Sequence, residues 1–239
     1  MLRGLSAAAA AMLPRIRRQE VSAHNLANAS TAGFKRDLVF EQLLDRAQST
    51  RPGESAVQTG LAIDFTPGTM EETGNALDLA IEGDGFFVVE TDSGERYTRN
   101  GHFTVSADGV LTTPEGNTVQ GKTGEIQLPP GTVTIATDGG ISVDGLNVGA
   151  LRLVRFDDTS VLSRSSGSLF TIRDPVRQPE EDSSSLLRQG YLEQSNVAPV
   201  DEMVNMIDIV RGFEAVQKSI LVQDESLGRA INELGRVRS

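Results

Sequence analysis

Two histidines, His24 and His102, are the only imidazoles in the chain, and it contains no cysteine. A zinc site built on histidine therefore lacks the partner ligands it needs. A Ser-His-Asp arrangement would have to use one of these two as its base, and no Gly-x-Ser-x-Gly elbow is present. The acidic pairs Glu71–Glu72 and Glu180–Glu181 offer the carboxylates that glycoside chemistry uses. They fall in stretches rich in Ser, Thr, Gly and Pro, and the chain has no Trp to serve as a sugar platform. The segment EGDGFF (82–87) carries Gly83 and Gly85, but the third glycine of a dinucleotide fingerprint is missing and the glycines precede an apolar strand-like run. They read as turn glycines. No Walker loop or EF-hand occurs. The sequence thus names no catalytic residue, cofactor or metal ligand, and the expectation is a structural or assembly protein, not an enzyme.

Charge narrows the partners. The 239 residues carry a formal net charge of −11, a poor match to nucleic acid, which needs clustered Lys and Arg. Residues 1–50 hold seven basic and four acidic side chains, whereas residues 51–100 hold three and ten. The two regions are therefore expected to face different surroundings. Hydrophobic residues make up 38%, enough for a real core. No apolar run approaches the roughly 18 residues of a membrane span. The opening MLRGLSAAAAAML faintly resembles a cleavable signal, but PRIRRQE follows at once and a helical period runs through it, so no cleaved signal is expected.

Positions 2, 5, 9, 12, 16, 19, 23 and 26 are Leu2, Leu5, Ala9, Met12, Ile16, Gln19, Ala23 and Leu26. The spacing alternates three and four with one polar member, which is a heptad seam. Met206, Ile209, Phe213, Val216, Ile220, Gln223, Leu227, Ala230 and Leu234 repeat the pattern at the other end. A lone helix gains little from an exposed seam, so each stripe needs a partner, and the simplest is the other helix. Pro14 removes a helical hydrogen bond and is expected to kink or divide the first helix.

Between the ends the period becomes two. FFVV (86–89), HFTVS (102–106), TVTIA (132–136) and ALRLVRF (150–156) alternate with Asp-Gly and Gly-rich turns suited to tight hairpins. Asp92, Glu95, Asp108 and Glu115 are expected in exposed turns. The fold class is α+β: terminal helices pairing as a coiled-coil-like module around an inserted antiparallel β-rich domain. The expected divisions are a helical module at 1–44, a connector at 45–77, the β-domain at 78–165, a connector at 166–190 and a second helical module at 191–239.

Three blocks resemble the flagellar basal-body rod and hook family: NLANASTAGFKRD (25–37), TGNALDLAIEGDGFFVV (73–89) with YTRNGHFTVSADGVLTTPEGNTVQG (97–121), and GYLEQSNVAPVDEMVNMIDIVRGFEAVQKSI (190–220). VQGKTGEIQLPPG (119–131) is most similar to the proximal-rod paralogue, with the distal-rod protein as runner-up. The resemblance implies helices that build an inner tube and an outward β-domain. It implies type III export without a cleaved signal and a torque-transmitting rod crossing the periplasm. The implied partners are copies of itself, other rod proteins, the surrounding basal-body rings and, in transit, the export apparatus. A free periplasmic β-domain binding protein is the alternative of another class, and a hydrolase of unrecognised type is a third.

In that setting the candidate subunit contacts are the seam residues Leu5, Met12, Ile16, Leu26, Met206, Ile209, Phe213, Ile220, Leu227 and Leu234. To them are added Asn25, Asn28, Thr31, Gly33 and Phe34 after the first helix and Ser195, Asn196 and Val197 before the last. The polar residues are expected to satisfy open carbonyls at the end of the first helix. Gly33 is expected in a conformation costly for other residues, and Asp201 or Asn196 to cap the C-terminal helix. Phe34 is either an anchor presented to a neighbour or to the chain's own C-terminal helix, or a core Phe at a helix stop.

Overall fold

The computed structural model describes residues 2–43, 57–173 and 177–236. The chain divides into two units, one holding residues 1–27, 37–62 and 198–239, the other residues 28–36 and 63–197.

The helical unit begins with α1 (Leu2–Ala27). Pro14 lies inside it and does not divide it. The missing hydrogen bond costs about 3 kcal/mol, and the Ala-rich turns before it have the highest intrinsic helix propensity. The strands β1 (Asp37–Leu43) and β2 (Val57–Ile63) form a two-stranded ribbon. The helix α2 (Pro199–Arg236) packs against α1. Arg15 lies against Gly212 and Asn25 meets Glu202. Ten residues back along one helix match ten forward along the other, so the helices are antiparallel. α2 has 38 residues and α1 has 26, so at 1.5 Å per residue α2 runs about 18 Å further.

The β-unit opens with β3 (Met70–Glu72), β4 (Leu79–Glu82), β5 (Phe86–Thr91) and β6 (Gly94–Thr98). The short strands β7 (Thr104–Val105), β8 (Leu111–Thr112), β9 (Thr118–Gly121) and β10 (Gly124–Glu125) follow. Then come β11 (Val133–Ile135), β12 (Gly140–Val143), β13 (Leu146–Ala150), β14 (Leu153–Arg155), β15 (Leu162–Ser166) and β16 (Leu169–Ile172). The last three are β17 (Glu180–Glu181), β18 (Leu186–Gln189) and β19 (Tyr191–Glu193). The main sheet runs β15-β16-β6-β5-β9-β8-β7, with β10 on β9, β14 on β5 and β17 on β14.

β5 explains the FFVV run. Successive side chains point to opposite faces, and both faces are covered. Phe87 and Val89 join Leu79, Phe103, Leu111 and Leu151, whereas Phe86 and Val88 join Tyr97, Val154, Leu162 and Phe170. Phe86 and Phe170 also meet edge to face, with ring centres 6.1 Å apart.

Both expected connectors contain strands. β2 and β3 lie within 45–77, and β16, β17 and β18 within 166–190. β18 pairs with β4 and β19 with β3, both antiparallel. Of these four, β3 and β18 fall in the expected connectors, whose composition hides strands that form only by pairing across more than 100 residues of sequence. Asp92, Glu95, Asp108 and Glu115 are exposed as expected, although Glu95 lies in β6 and meets Arg152 at 2.8 Å.

Candidate assembly site

The end of α1 is fixed by one amide. Asn25 is 1% exposed. Its Nδ2 donates to the Asp37 carbonyl at 2.9 Å, and its Oδ1 accepts from the Asp37 N–H at 2.9 Å, the pattern of a residue in a β-ladder. Nδ2 also donates to Glu202 Oε1 at 3.2 Å. His24 Nδ1 meets Asp37 Oδ2 at 3.0 Å. Asn25 therefore serves the first residue of β1 and the first turn of α2, not the helix-end carbonyls expected of it.

This contact also sets the rotation of α1. The face turned inward carries Arg15, Ser22, Asn25 and Leu26, while Ile16, Gln19 and Ala23 are exposed. The expected seam is displaced by about one residue, or 100°, because Asn25 must face Asp37 and Glu202. Met12 and Leu26 stay half-buried, and Ile16 is 42% exposed. On α2 the expected stripe holds: Met206, Ile209, Phe213, Val216 and Ile220 are half-buried between exposed neighbours. The side chains of Leu5, Leu227 and Leu234 lie outside the described residues.

The segment after α1 belongs to the β-unit. The Thr31 N–H donates to the Asn28 carbonyl at 3.1 Å and the Phe34 N–H to the Thr31 carbonyl at 3.2 Å, making two successive turns. Gly33 has φ +66°, and a Cβ there would run into the backbone of Arg99 and Asn100. Glycine is thus required by both conformation and space. Phe34 is 0% exposed, with the Arg164 guanidinium 4.2 Å over its ring. Of its two readings, the buried one holds: Phe34 is a core residue stacked on a cation, closed to any neighbour.

Beside it sits a buried charge cluster. Lys35 and Glu193 are 0% and 1% exposed, and Lys35 Nζ lies 2.5 Å from Glu193 Oε1. Nζ also donates to the Thr66 carbonyl at 2.9 Å, and Oε1 accepts from the Gly68 N–H at 2.9 Å. Arg99 Nη1 is 3.9 Å from Glu193 Oε2 and donates to the Gly83 carbonyl at 2.8 Å. Burial pushes the Lys35 ammonium below the usual lysine range against the pull of Glu193, and burial lowers Arg99 likewise. The Gly33 N–H donates to the Glu193 carbonyl at 2.7 Å, so the two signature segments are joined through both backbone and side chains.

Asn196 ties a second strand of this knot. Its Oδ1 accepts from the Arg36 N–H at 2.7 Å, and its Nδ2 donates to the Asp64 carbonyl at 2.8 Å. Arg36 Nη2 donates to Asp64 Oδ2 at 3.0 Å. Burial raises the Asp64 carboxyl, but Thr66 and the Arg36 guanidinium together hold it below its usual range. Asn196 is therefore engaged away from α2 and does not cap it. The exposed Asp201 likewise shows no cap bond, and Pro199 supplies the first helical residue. The Val197 N–H donates to Ser195 Oγ at 3.2 Å, and Val197 is 6% exposed. The expected residues Asn28, Thr31, Gly33, Phe34, Ser195, Asn196 and Val197 are brought into one unit. Lys35, Glu193, Arg99, Arg164 and Glu202 were missed. A charge set directly inside a signature, as in GFKR and YLEQSN, was the available signal.

Residues 28–36 and 190–197 of the two signature blocks lie in the β-unit, and the rest of those blocks belongs to the helical unit. Residues 80–143 match the family described as flagellar hook protein FlgE/F/G D1 domain. Residues 188–233 match flagellar basal body rod FlgEFG protein C-terminal. The chain is 38% identical to flagellar basal-body rod protein FlgF of Caulobacter vibrioides, over 92% of this chain and 93% of that one. It is 38% identical to the FlgF protein of Salmonella typhimurium, over 90% and 91%. It is 31% identical to flagellar basal-body rod protein FlgG of Bacillus subtilis, over 97% and 99%. The chain belongs to the flagellar basal-body rod protein family.

Proposed function

We propose that this protein is a structural subunit of the flagellar basal-body rod, located in the basal body and assembled through its terminal helices into the axial drive shaft. The observation that carries the reading is the half-covered α2 seam in a chain whose β-unit has closed its own core. Helices that bury a stripe only in part gain further apolar burial when neighbours add to them. The α1–α2 pairing is read as coiled-coil-like on the three-four spacing of that stripe. Copies of this chain and other rod proteins are the partners this reading requires. The surrounding rings and the export apparatus enter through the family resemblance. A proximal position in the rod is favoured by VQGKTGEIQLPPG (119–131), with a distal-rod or hook role as the alternative.

The test is genetic and biochemical together. A strain lacking this gene is complemented with the chain carrying an epitope in the exposed Pro114–Gly116 turn, and basal bodies are isolated. The tag should co-purify with the rod and swimming should return. Restored swimming with no tag in basal bodies would overturn the assignment. Antibody labelling at the proximal or distal end of the rod separates the paralogue readings.

A further inference from the structure

Asn100 is the one asparagine of the chain that is followed by a glycine. Glycine leaves the backbone beside it free to turn and its own nitrogen unshielded by a Cβ. In an open chain the Gly101 nitrogen can therefore attack Asn100 Cγ. The Cγ–Nδ2 bond breaks, and ammonia leaves with the proton that the attacking nitrogen loses. Water then opens the resulting cyclic imide. Hydrolysis at Cγ gives aspartate. Hydrolysis at the backbone carbonyl gives isoaspartate, in which the main chain runs through Cβ and Cγ and is one carbon longer. Asp84, Asp108, Asp138 and Asp144 also precede glycines, but an aspartate in an open chain is a carboxylate at neutral pH and resists this attack.

The fold holds the reacting peptide on both sides. The Asn100 N–H donates to Thr98 Oγ1 at 3.0 Å, and Asn100 Oδ1 accepts from the His102 N–H at 3.0 Å, which ties the amide down across Gly101. Gly101 is buried, and its carbonyl accepts from the Leu79 N–H at 3.0 Å. The Phe103 N–H donates to the Leu77 carbonyl at 3.3 Å. A Cβ on Gly101 would run into the Leu79 carbonyl, and one on Gly33 into the Asn100 backbone. Ring closure needs the backbone at 100–101 to turn and the amide to leave His102, and both motions break this packing.

The same packing separates the two products. Aspartate keeps an oxygen for the His102 N–H. Isoaspartate lengthens the chain just before 101–103, the stretch that lies against 77–79. There His102 Nδ1 meets Asp78 Oδ1 at 2.7 Å, and Phe103, 1% exposed, meets the Phe87 ring with centres 5.0 Å apart. An added backbone carbon carries both out of register, and register decides which face each side chain takes. We infer that Asn100 is a self-modification site that folding closes, and that its isoaspartate product bars the β-unit from folding again. A chain held open is thereby retired by its own chemistry, and a folded one is spared.

The full chain is aged at mildly alkaline pH, in buffer and in urea, and its peptides are mapped by mass spectrometry with isoaspartate and aspartate separated by chromatography. Position 100 should convert at least about tenfold faster in urea, because the folded chain reacts only through its rare openings. Equal rates in both would overturn the closure. The chain aged in urea is then refolded and its folded and unfolded fractions parted by size. Isoaspartate at position 100 should collect in the unfolded fraction and aspartate at 100 in the folded one. An equal share of isoaspartate in both would overturn the second half of the inference. Asn100→Asp removes the reactive amide, so after the same ageing it should refold with the melt of fresh protein. Asn100→Gln, whose longer side chain closes the ring poorly, gives the same reading if Asn100→Asp does not fold. A loss of refolding on ageing as large in these variants as in wild type would place the damage elsewhere and overturn the assignment.

Discussion

The β-unit and the helical unit bury their apolar residues to different extents. In the β-unit Phe86, Phe87, Val88, Val89, Phe103 and Phe170 are each at most 1% exposed. In the helical unit the α2 seam is only half-buried, and five large apolar side chains of its first turns are about half exposed or more. One unit has a finished core, and the other has surfaces suited to further neighbours. On the rod reading proposed above, the half-covered helical unit is the part that would take neighbours.

The sharpest way to break the comparison is to cut the β-unit short. A fragment spanning 78–165 lacks Phe34, Phe170 and Leu187, all at most 2% exposed, and the partners β16 and β18. It should show no cooperative melt, and a clear two-state transition would contradict the boundaries drawn here. Next in size is Glu193→Ala, which leaves Lys35 and Arg99 buried without their carboxylate. Breaking a buried pair on one side costs about 3–5 kcal/mol, and the β-unit melt should drop accordingly. Gly33→Val adds a strained backbone of about 1–3 kcal/mol to a clash with residues 99 and 100. Because Gly33 lies in the β-unit, purified protein should lose thermal stability, not assembly alone. Unchanged melting with lost motility would return Gly33 to the helical side of the comparison.

Ile209→Asp sharpens the other side. It places a charge in the half-buried seam, so incorporation into basal bodies should fail while the β-unit melt stays within about 0.5 kcal/mol. The smallest effect is that of one carboxyl. The Asp64 carboxyl titrates below its ordinary 3.8 in the folded chain. It therefore contributes stability above that value and loses it as pH falls through the lowered one. Asp64→Asn should lose that contribution at neutral pH and flatten the acid limb below about pH 4, where the two proteins converge.

These contrasts also show which parts of the fold a sequence can reveal. The α2 stripe was legible because packing alone decides it, and packing follows the 3.6 period. The α1 stripe was not, because a hydrogen-bonded amide at Asn25 turned the helix by one residue against the apolar count. FFVV was readable as strand, whereas MEE (70–72) and YLE (191–193) were not. Each becomes a strand only by finding the other across more than 100 residues. Lys35 and Glu193 are 158 positions apart, and no local pattern joins them. The two readings of Phe34 stayed open for the same reason, since Arg164, which covers it, lies far along the chain.

The antiparallel register of α1 and α2 has one further electrostatic consequence. Each helix carries a macrodipole equal to about half a charge at either end. Running opposite ways, the two cancel along their shared length. Where they end together, His24 stands in the last turn of α1 and Asp201 and Glu202 in the first turn of α2, each of the sign that its helix end favours. The paired length of the two helices therefore presents little net dipole to its surroundings. The part of α2 that outruns α1 is the exception, and there the uncompensated negative end favours a cation or the positive end of another helix.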